Sequence, residues 1–123
     1  MVLLGMIGVA LLAGTCTFFL IKLVRLTFGA IKKRIVERLK KKPGEIPLTA
    51  EAVVCVEELL KSAPTMKLSD LGDDVQMSDV LMVGMMEDGS LDVEVDNFRA
   101  KEIDEQLQQA LQTSGAIKID CRG

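Results

Sequence analysis

Residues 79–96 read DVLMVGMMEDGSLDVEVD, two β-rich runs on either side of an Asp88-Gly89 pair. Asp-Gly between two such runs is typical of a tight hairpin turn, because glycine readily adopts the positive φ that the turn needs. The first run is apolar on both faces, as in a central strand. In the second run hydrophobic residues alternate with acids, so we predict one buried face and one hydrated face carrying Asp92, Glu94 and Asp96.

Helices and a further strand are predicted on both sides of this hairpin. Downstream, Asn97 is a predicted N-cap for a helix that ends near Gly115, and AIKID at 116–120 is a predicted strand. Upstream, Thr49 is a predicted N-cap for a helix over AEAVVCVEELLKSA, and residues 65–78 show no clear period. The order helix, β-hairpin, helix, short strand predicts a small α+β module over residues 49–123, with helices packed on one face of its sheet.

Charge divides the chain into two unlike parts. Residues 1–42 carry nine basic residues and one acid, a net charge of +8, whereas residues 43–123 carry a net charge of −11. Proline and glycine in KKPGEIPL indicate a hinge at 43–48 between the basic part and the acidic module. This asymmetry predicts a basic segment that meets an anionic surface and an acidic module held in water.

The first 21 residues, MVLLGMIGVALLAGTCTFFLI, are uncharged. As a helix they would measure roughly 31 Å at ~1.5 Å per residue, close to the ~30 Å hydrocarbon core of a bilayer. Basic residues follow this run and none precedes it, which favours an uncleaved transmembrane helix over a signal peptide. The positive-inside rule then predicts a single-pass protein of the cell (inner) membrane, with its N-terminus outside and its C-terminal module in the cytoplasm.

In residues 22–42, apolar residues recur every three or four positions among basic ones. This spacing predicts a basic juxtamembrane amphipathic helix that continues the span. Three partners fit its charges: a lipid bilayer with anionic headgroups, which we favour, the phosphates of nucleic acid, or acidic groups of a partner protein or of the chain's own module. The candidate residues for contact with a membrane surface or another anion are Lys22, Arg25, Lys32, Lys33, Arg34, Arg38, Lys40, Lys41 and Lys42.

An apolar seam follows the predicted continuous helix at intervals of three or four residues. Small residues in the span would let neighbouring helices approach closely, so the seam predicts a homo-oligomer. The members of this helix-packing seam are Ala10, Ala13, Thr17, Val24, Phe28, Ile31, Ile35 and Leu39.

The module offers a surface for a partner but no catalytic arrangement. Methionine is adaptable and recurs at binding surfaces, so Met82, Met85 and Met86 in the hairpin are candidates for a partner surface, with core filling as the alternative. The chain has no His, the commonest general base and metal ligand, and its three Cys are far apart. We therefore predict no catalytic residue, no metal and no cofactor.

Three short matches link the module to other proteins: VLMVG (80–84), EDGSL (87–91) and LQQAL (107–111). Through them residues 79–112 resemble small uncharacterised proteins of tailed phages and prophages, which share a strand-turn-strand-helix unit. This chain departs from their pattern by its predicted membrane helix and by Gln where they usually carry aromatic residues or Leu. The resemblance implies a phage origin and no particular activity.

Together these features predict a non-enzymatic, single-pass membrane-anchored protein whose acidic cytosolic module docks an unidentified protein partner, as a homo-oligomer. The alternative is a phage-encoded membrane-active, lesion-forming or virion-membrane protein. It would act by oligomerisation of its span and contact nucleic acid through the basic arm.

Overall fold

The structure is a computed structural model, and it describes residues 7–8, 11, 16–40 and 48–121. Residues 7, 8 and 11 are helical, and a short 3-10 helix spans Leu68–Leu71. The remaining elements, in chain order, are β1 (Thr17–Leu26), α1 (Phe28–Lys40), β2 (Leu48–Cys55), α2 (Val56–Ser62), β3 (Val80–Met86), β4 (Leu91–Ile103), α3 (Glu105–Ser114) and β5 (Ala116–Asp120).

These five strands form one mixed sheet in the order β1-β4-β3-β2-β5. β1 runs parallel to β4, from Thr17 opposite Glu94 to Leu26 opposite Ile103. The other three neighbouring pairs are antiparallel. β3 is therefore the central strand, as its uniformly apolar sequence predicts, and β1 and β5 form the two edges.

The predicted hairpin is confirmed. The backbone N–H of Met86 donates to the carbonyl of Ser90 at 2.9 Å, and Gly89 has a φ of 88°. The Asp88 carboxylate accepts a hydrogen bond from the Ser90 backbone N–H at 2.9 Å, which is a local turn-forming contact of the kind aspartate favours. The hairpin could be predicted because all of these interactions lie within a few residues.

Both faces of the sheet are covered, so the fold is an α/β sandwich rather than a sheet with helices on one face. On one face, α1 and α3 bury apolar side chains against the inner strands. On the other, α2, the segment 66–75 and helical residues 7 and 11 pack over a second core. Successive residues of an inner strand therefore face the two cores in turn. This explains the long apolar runs of β2 and β3.

The predicted transmembrane helix over 1–21 is contradicted. Residues Thr17–Leu26 form β1, and within the described part of the chain no helix combines the length and the apolar character needed to cross a bilayer. The sequence TFFLIKLVRL is rich in aromatic and branched residues that suit a strand, and pairing with β4 stabilises that conformation. This finding also contradicts the predicted single-pass, inner-membrane location and its orientation.

The basic helix is shorter than predicted and does not continue an upstream helix. It begins at Phe28, where the Thr27 hydroxyl accepts a hydrogen bond from the Ala30 N–H at 3.1 Å. A threonine that satisfies a free N–H in this way is a typical N-cap. The predicted hinge at 43–48 lies outside the described residues except for Leu48, which begins β2.

Two predicted helix starts in the module are also wrong. The stretch that follows Thr49 is strand β2 up to Cys55, because it pairs with β3 on one side and β5 on the other. Asn97 lies inside β4, which continues to Ile103 along the whole length of β1. Asp104 precedes α3 instead, whereas the predicted helix end at Gly115 (φ 77°) and the strand over 116–120 are confirmed.

Candidate functional site

Arg38 of α1 lies in a buried charge cluster, which we define as Arg34, Arg38, Glu51, Asp92 and Asp96. The Arg38 side chain is only 6% exposed. Its Nε lies 3.0 Å from Glu51 Oε1, its Nη2 3.3 Å from Asp92 Oδ2 and its Nη1 3.1 Å from Asp96 Oδ2. Nη2 also donates to the carbonyl of Glu94 at 3.1 Å. The planar guanidinium therefore joins α1 to β2 and β4 at once.

Arg34, one helical turn earlier, contacts the same aspartate. Its Nε donates to Asp96 Oδ2 at 3.0 Å and its Nη2 to Asp96 Oδ1 at 3.2 Å, a bidentate pair. Its Nη1 also donates to Glu37 at 3.2 Å. The hydrogen bond to Asp96 raises the pKa of the Arg34 guanidinium further above its usual value. Asp96 is thus held between two arginines.

Gly84 of β3 leaves room for the cluster. A Cβ atom at this position would lie 2.7 Å from Leu48 Cδ1 and 3.1 Å from both Arg38 Nη2 and Asp92 Cβ. Only glycine lets the guanidinium lie this close to the central strand without displacing a neighbour. The backbone of β3 at Gly84 therefore forms part of the surface against which the Arg38 guanidinium packs.

The cluster contradicts the prediction that the acid-bearing face of the second hairpin strand is hydrated. Asp92 and Asp96 are buried, and Val93 is exposed. The side chains still alternate between the faces, because Leu91 and Val95 pack in the core on the opposite side of the sheet. Because Asp92 and Asp96 face α1, they form ion pairs with its arginines. Separately, the described residues contain no group of three or more His, Cys, Asp or Glu arranged to hold a metal ion. The arrangement fastens α1 to the sheet.

A buried carboxylate outside the charge cluster fixes the segment before β3. Asp79 is fully buried and accepts two hydrogen bonds from Arg99, at 3.0 Å to Oδ1 and 2.9 Å to Oδ2. It also accepts one from the Gln76 N–H at 2.8 Å, while Arg99 donates to the carbonyl of Asp74. Asp79 therefore holds the segment that precedes β3 against β4, through Arg99.

The edge strand β1 is the most exposed apolar part of the sheet. Phe19 is 44% and Val24 74% exposed, and Leu20 is also exposed. The strand is ten residues long, and within the described ranges β4 is the only strand that pairs with it. A long apolar edge of this kind readily pairs with a further strand.

A groove of about 300 Å³ lies between β1 and α1 on the face that carries the charge cluster. Ile21, Leu23 and Phe98 contribute apolar walls on the sheet side. The helix side contributes Ala30 together with the charged residues Lys33, Arg34 and Glu37. The groove is therefore apolar with a charged rim, and two of its apolar side chains belong to the edge strand itself.

The three cysteines are not activated thiols. Burial raises the pKa of Cys16, with a further contribution from the charge of Asp92. Burial likewise raises the pKa of Cys55, which lines a smaller cavity of about 130 Å³ beside α2 and α3. The pKa of Cys121 is raised to about 11 by burial and then by the charges of Glu51 and Asp120. A raised pKa favours the unreactive thiol form.

The nine basic residues predicted to contact an anionic surface do not act as one group. Arg34 and Arg38 are in the charge cluster, which matches the alternative that the basic arm pairs with the chain's own acids. Arg25 pairs with Asp104 at 3.0 Å. Lys22, Lys32, Lys33 and Lys40 are exposed on β1 and α1, and Lys41 and Lys42 lie outside the described residues.

The predicted helix-packing seam is not a single helical stripe. Thr17 and Val24 are on β1, whereas Phe28, Ile31, Ile35 and Leu39 are on α1. Ile31 and Ile35 are buried in the core and Leu39 is exposed. Ala10 and Ala13 lie outside the described residues.

The three methionines predicted as a partner surface differ in how far they are buried. Met82 is fully buried in the core, and Met85 and Met86 are half-buried near the end of β3. Core filling, the alternative considered for these side chains, therefore applies to Met82.

Sequence reasoning missed Glu51 and Phe19 as site residues. Glu51 is an isolated acid in the apolar run LTAEAVVC, which is a signal for a paired buried charge once the run is recognised as a strand. The spacing of Arg34 and Arg38, one helical turn apart, is the matching signal on α1. Phe19 was hidden inside the predicted membrane span.

Comparisons of the chain with family models, with curated proteins and with solved structures found no match. The resemblance of residues 79–112 to small tailed-phage proteins therefore stays a prediction.

Proposed function

We propose that this protein is a non-catalytic assembly domain that docks a second copy of itself by strand addition at the outer edge of β1. The observation that carries the proposal is the exposure of Phe19, Leu20 and Val24 on a ten-residue edge strand. Strand addition would satisfy the outward backbone groups of β1 and cover these side chains together. The two copies would form one continuous sheet.

Self-complementarity of the strand favours a second copy as the partner. In an antiparallel pair centred on Ile21, Phe19 lies opposite Leu23 and Phe18 opposite Val24, so apolar side chains meet. Lys22 lies opposite Leu20 and Arg25 opposite Thr17. A pair centred on Lys22 would place the two Lys22 side chains opposite each other, which costs energy because like charges repel. A pair centred on Leu20 would align only residues 17–23 of β1, whereas the centre at Ile21 aligns residues 17–25. The centre at Ile21 is therefore the preferred register.

The buried charges support a binding rather than a catalytic role. The two arginines of the charge cluster form ion pairs with its three carboxylates, so these carboxylates are not available for acid–base chemistry. The same ion pairs attach α1 to the sheet beside β1. The result is a rigid support behind the edge strand. A firmly held edge loses little conformational freedom when a partner strand docks.

Hydrogen exchange at several protein concentrations tests the proposal, with sedimentation velocity on the same samples. We expect a concentration-dependent dimer and slower amide exchange in β1 at high concentration, with unchanged exchange in β5. Salt should strengthen the dimer, because it screens Lys22 and Arg25 of one copy from those of the other. A monomer at all concentrations, or slowing confined to β5, would overturn self-assembly at this edge.

A further inference from the structure

The groove between β1 and α1 opens beside the edge at which the second copy is proposed to dock. Its apolar walls include Ile21 and Leu23, which belong to β1 itself, and Phe98 of the neighbouring strand. At about 300 Å³ it is the larger of the two cavities described above. An apolar recess whose wall is an edge strand is incomplete on the side where the next strand would lie.

Phe19 is on the same face of the sheet as this groove. It lies opposite Asp96 in the register with β4, just as Ile21 lies opposite Phe98. Side chains of aligned residues on adjacent strands share a face. Phe19 is nevertheless 44% exposed, and its neighbour across the ladder is a carboxylate that is paired with Arg34. Among the described residues, the aligned side chain on β4 therefore gives this ring no apolar contact.

We infer that the groove is completed by the second copy, whose Phe19 enters it, and this inference rests on the proposed self-assembly. In the register centred on Ile21, Phe19 of the second copy lies opposite Leu23 on the face of the groove. Ile21 of the second copy lies next to it, opposite Ile21. The two-fold axis makes the exchange reciprocal, so each copy contributes one ring and receives one.

The chemistry of the groove suits an aromatic ring. Leu23, Ile21 and Phe98 supply apolar contact, and burial of the ring removes a large apolar surface from water. Lys33 at the rim is within the groove lining and carries a charge that is attracted to the face of an aromatic ring. Phe19 is thus the anchor residue of the interface, and Lys33 is a secondary contact.

A tryptophan at position 19 gives a direct readout, because the chain has no Trp of its own. The Phe19→Trp variant should show a blue-shifted emission and several-fold weaker acrylamide quenching as the concentration rises through the dimerisation range. The matched control is Met77→Trp, since Met77 has the same 44% exposure but lies in the segment before β3. Emission of the control should not change with concentration.

Affinity measurements on substituted chains separate the anchor from its surroundings. Phe19→Ala should weaken the dimer about tenfold or more, as expected for a central aromatic anchor. Lys33→Gln should weaken it about threefold, in line with an exposed cation–ring contact. Thermal melting of monomeric samples checks that each variant folds, and Phe19→Leu, which keeps apolar bulk, should retain part of the affinity.

The outcomes distinguish the inference from the proposal beneath it. If the Phe19→Trp protein dimerises through β1 while its indole stays as quenchable as that of Met77→Trp, the ring does not enter the groove and the inference fails alone. If sedimentation shows a monomer throughout, the proposed self-assembly fails and the inference with it. A dimer in which Phe19→Ala and Phe19→Leu both keep the wild-type affinity also contradicts the inference.

Discussion

The two edges of the sheet are built differently. β1 has ten residues with Phe19, Leu20 and Val24 exposed, whereas β5 has five residues and exposes Lys118 and Asp120. Short edge strands and charged side chains are common protections against unwanted strand pairing. β5 has both protections, and β1 has its charges only at Lys22 and Arg25. This contrast is the main reason for assigning docking to β1.

The supports behind the two edges differ as well. α1 is attached beside β1 by Arg34 and Arg38, which are paired with buried carboxylates of β2 and β4. α3 lies nearer to β5 and is attached through apolar residues such as Leu107 and Leu111. An ionic attachment fixes direction as well as position, because the guanidinium must align with several oxygens. The groove wall beside β1 depends on that alignment.

The largest effect is expected from Arg38→Met. The substitution removes the guanidinium from among three buried carboxylates, so we expect the free energy of unfolding to fall by about 3–5 kcal/mol. Urea unfolding at neutral pH measures this loss. The matched control is Arg25→Met, whose pair with Asp104 is exposed and should contribute less than about 1 kcal/mol. A loss below about 1 kcal/mol for Arg38→Met, as small as that expected for the control, would show that the cluster adds little to the stability of the fold.

A smaller loss is expected from Gly84→Ala. The new methyl group would meet Leu48 Cδ1 at 2.7 Å and the Arg38 guanidinium at 3.1 Å, so we expect a destabilisation of about 1–3 kcal/mol. Leu48→Ala in the same chain should recover part of it, because the closest contact is with that side chain. Gly29→Ala in α1 is the control: its nearest neighbour would be Thr27 Oγ1 at 3.7 Å, and it should stabilise by about 0.5 kcal/mol. A neutral Gly84→Ala would contradict the described packing.

Exchanging the character of the edges tests their contrast directly. Val24→Lys gives β1 a charged side chain of the kind that protects β5. Because Val24 is 74% exposed, the substitution should leave the stability of the monomer unchanged. We expect the dimer to weaken about tenfold, since the side chain opposite position 24 is Phe18. Lys118→Val on β5 should leave the affinity within about twofold. The reverse pattern in sedimentation equilibrium would assign association to β5.

The smallest effect concerns the thiol that follows β5. Its pKa is raised from 9.0 to about 11, so at pH 8 Cys121 should react with iodoacetamide roughly a hundredfold more slowly in the folded protein than in urea. The fold favours the neutral thiol, so this contribution to stability is present below pH 9 and is lost as the pH rises through about 11. Mass spectrometry of partly alkylated protein measures the rate. Equal rates in the two states would contradict the burial of this thiol.

Local chemistry explains which elements could be predicted from sequence. The Asp88-Gly89 turn, the helix end at Gly115 and the strand over 116–120 depend on residues close in the chain, and all three are confirmed. β1 and β2 could not be predicted in this way, because they are stabilised by partners far along the chain. Their apolar runs also fit a helical period, and sheet pairing overrides that fit.

The site was less predictable than the fold. The opposite charges of the two parts of the chain indicated that the basic arm could pair with the chain's own acids, and Arg34 and Arg38 do so. The partners Glu51, Asp92 and Asp96 depend on which face of the sheet α1 covers and on the irregular register beside Gly84. The sequence marks Glu51 and the two arginines as candidates for buried ion pairs, but it does not show which residues meet. Phe19 was assigned to a membrane span because its neighbours are apolar.

The most direct test of the central claim is an isotope-filtered NOE experiment on an equal mixture of labelled and unlabelled protein. This measurement detects only protons of different copies that lie close together. The account predicts cross-peaks between Ile21 and Ile21, and between Phe19 and Leu23, of the two copies. A sample that sedimentation shows to be dimeric, but whose intermolecular cross-peaks involve only residues outside β1 and its groove, would contradict it.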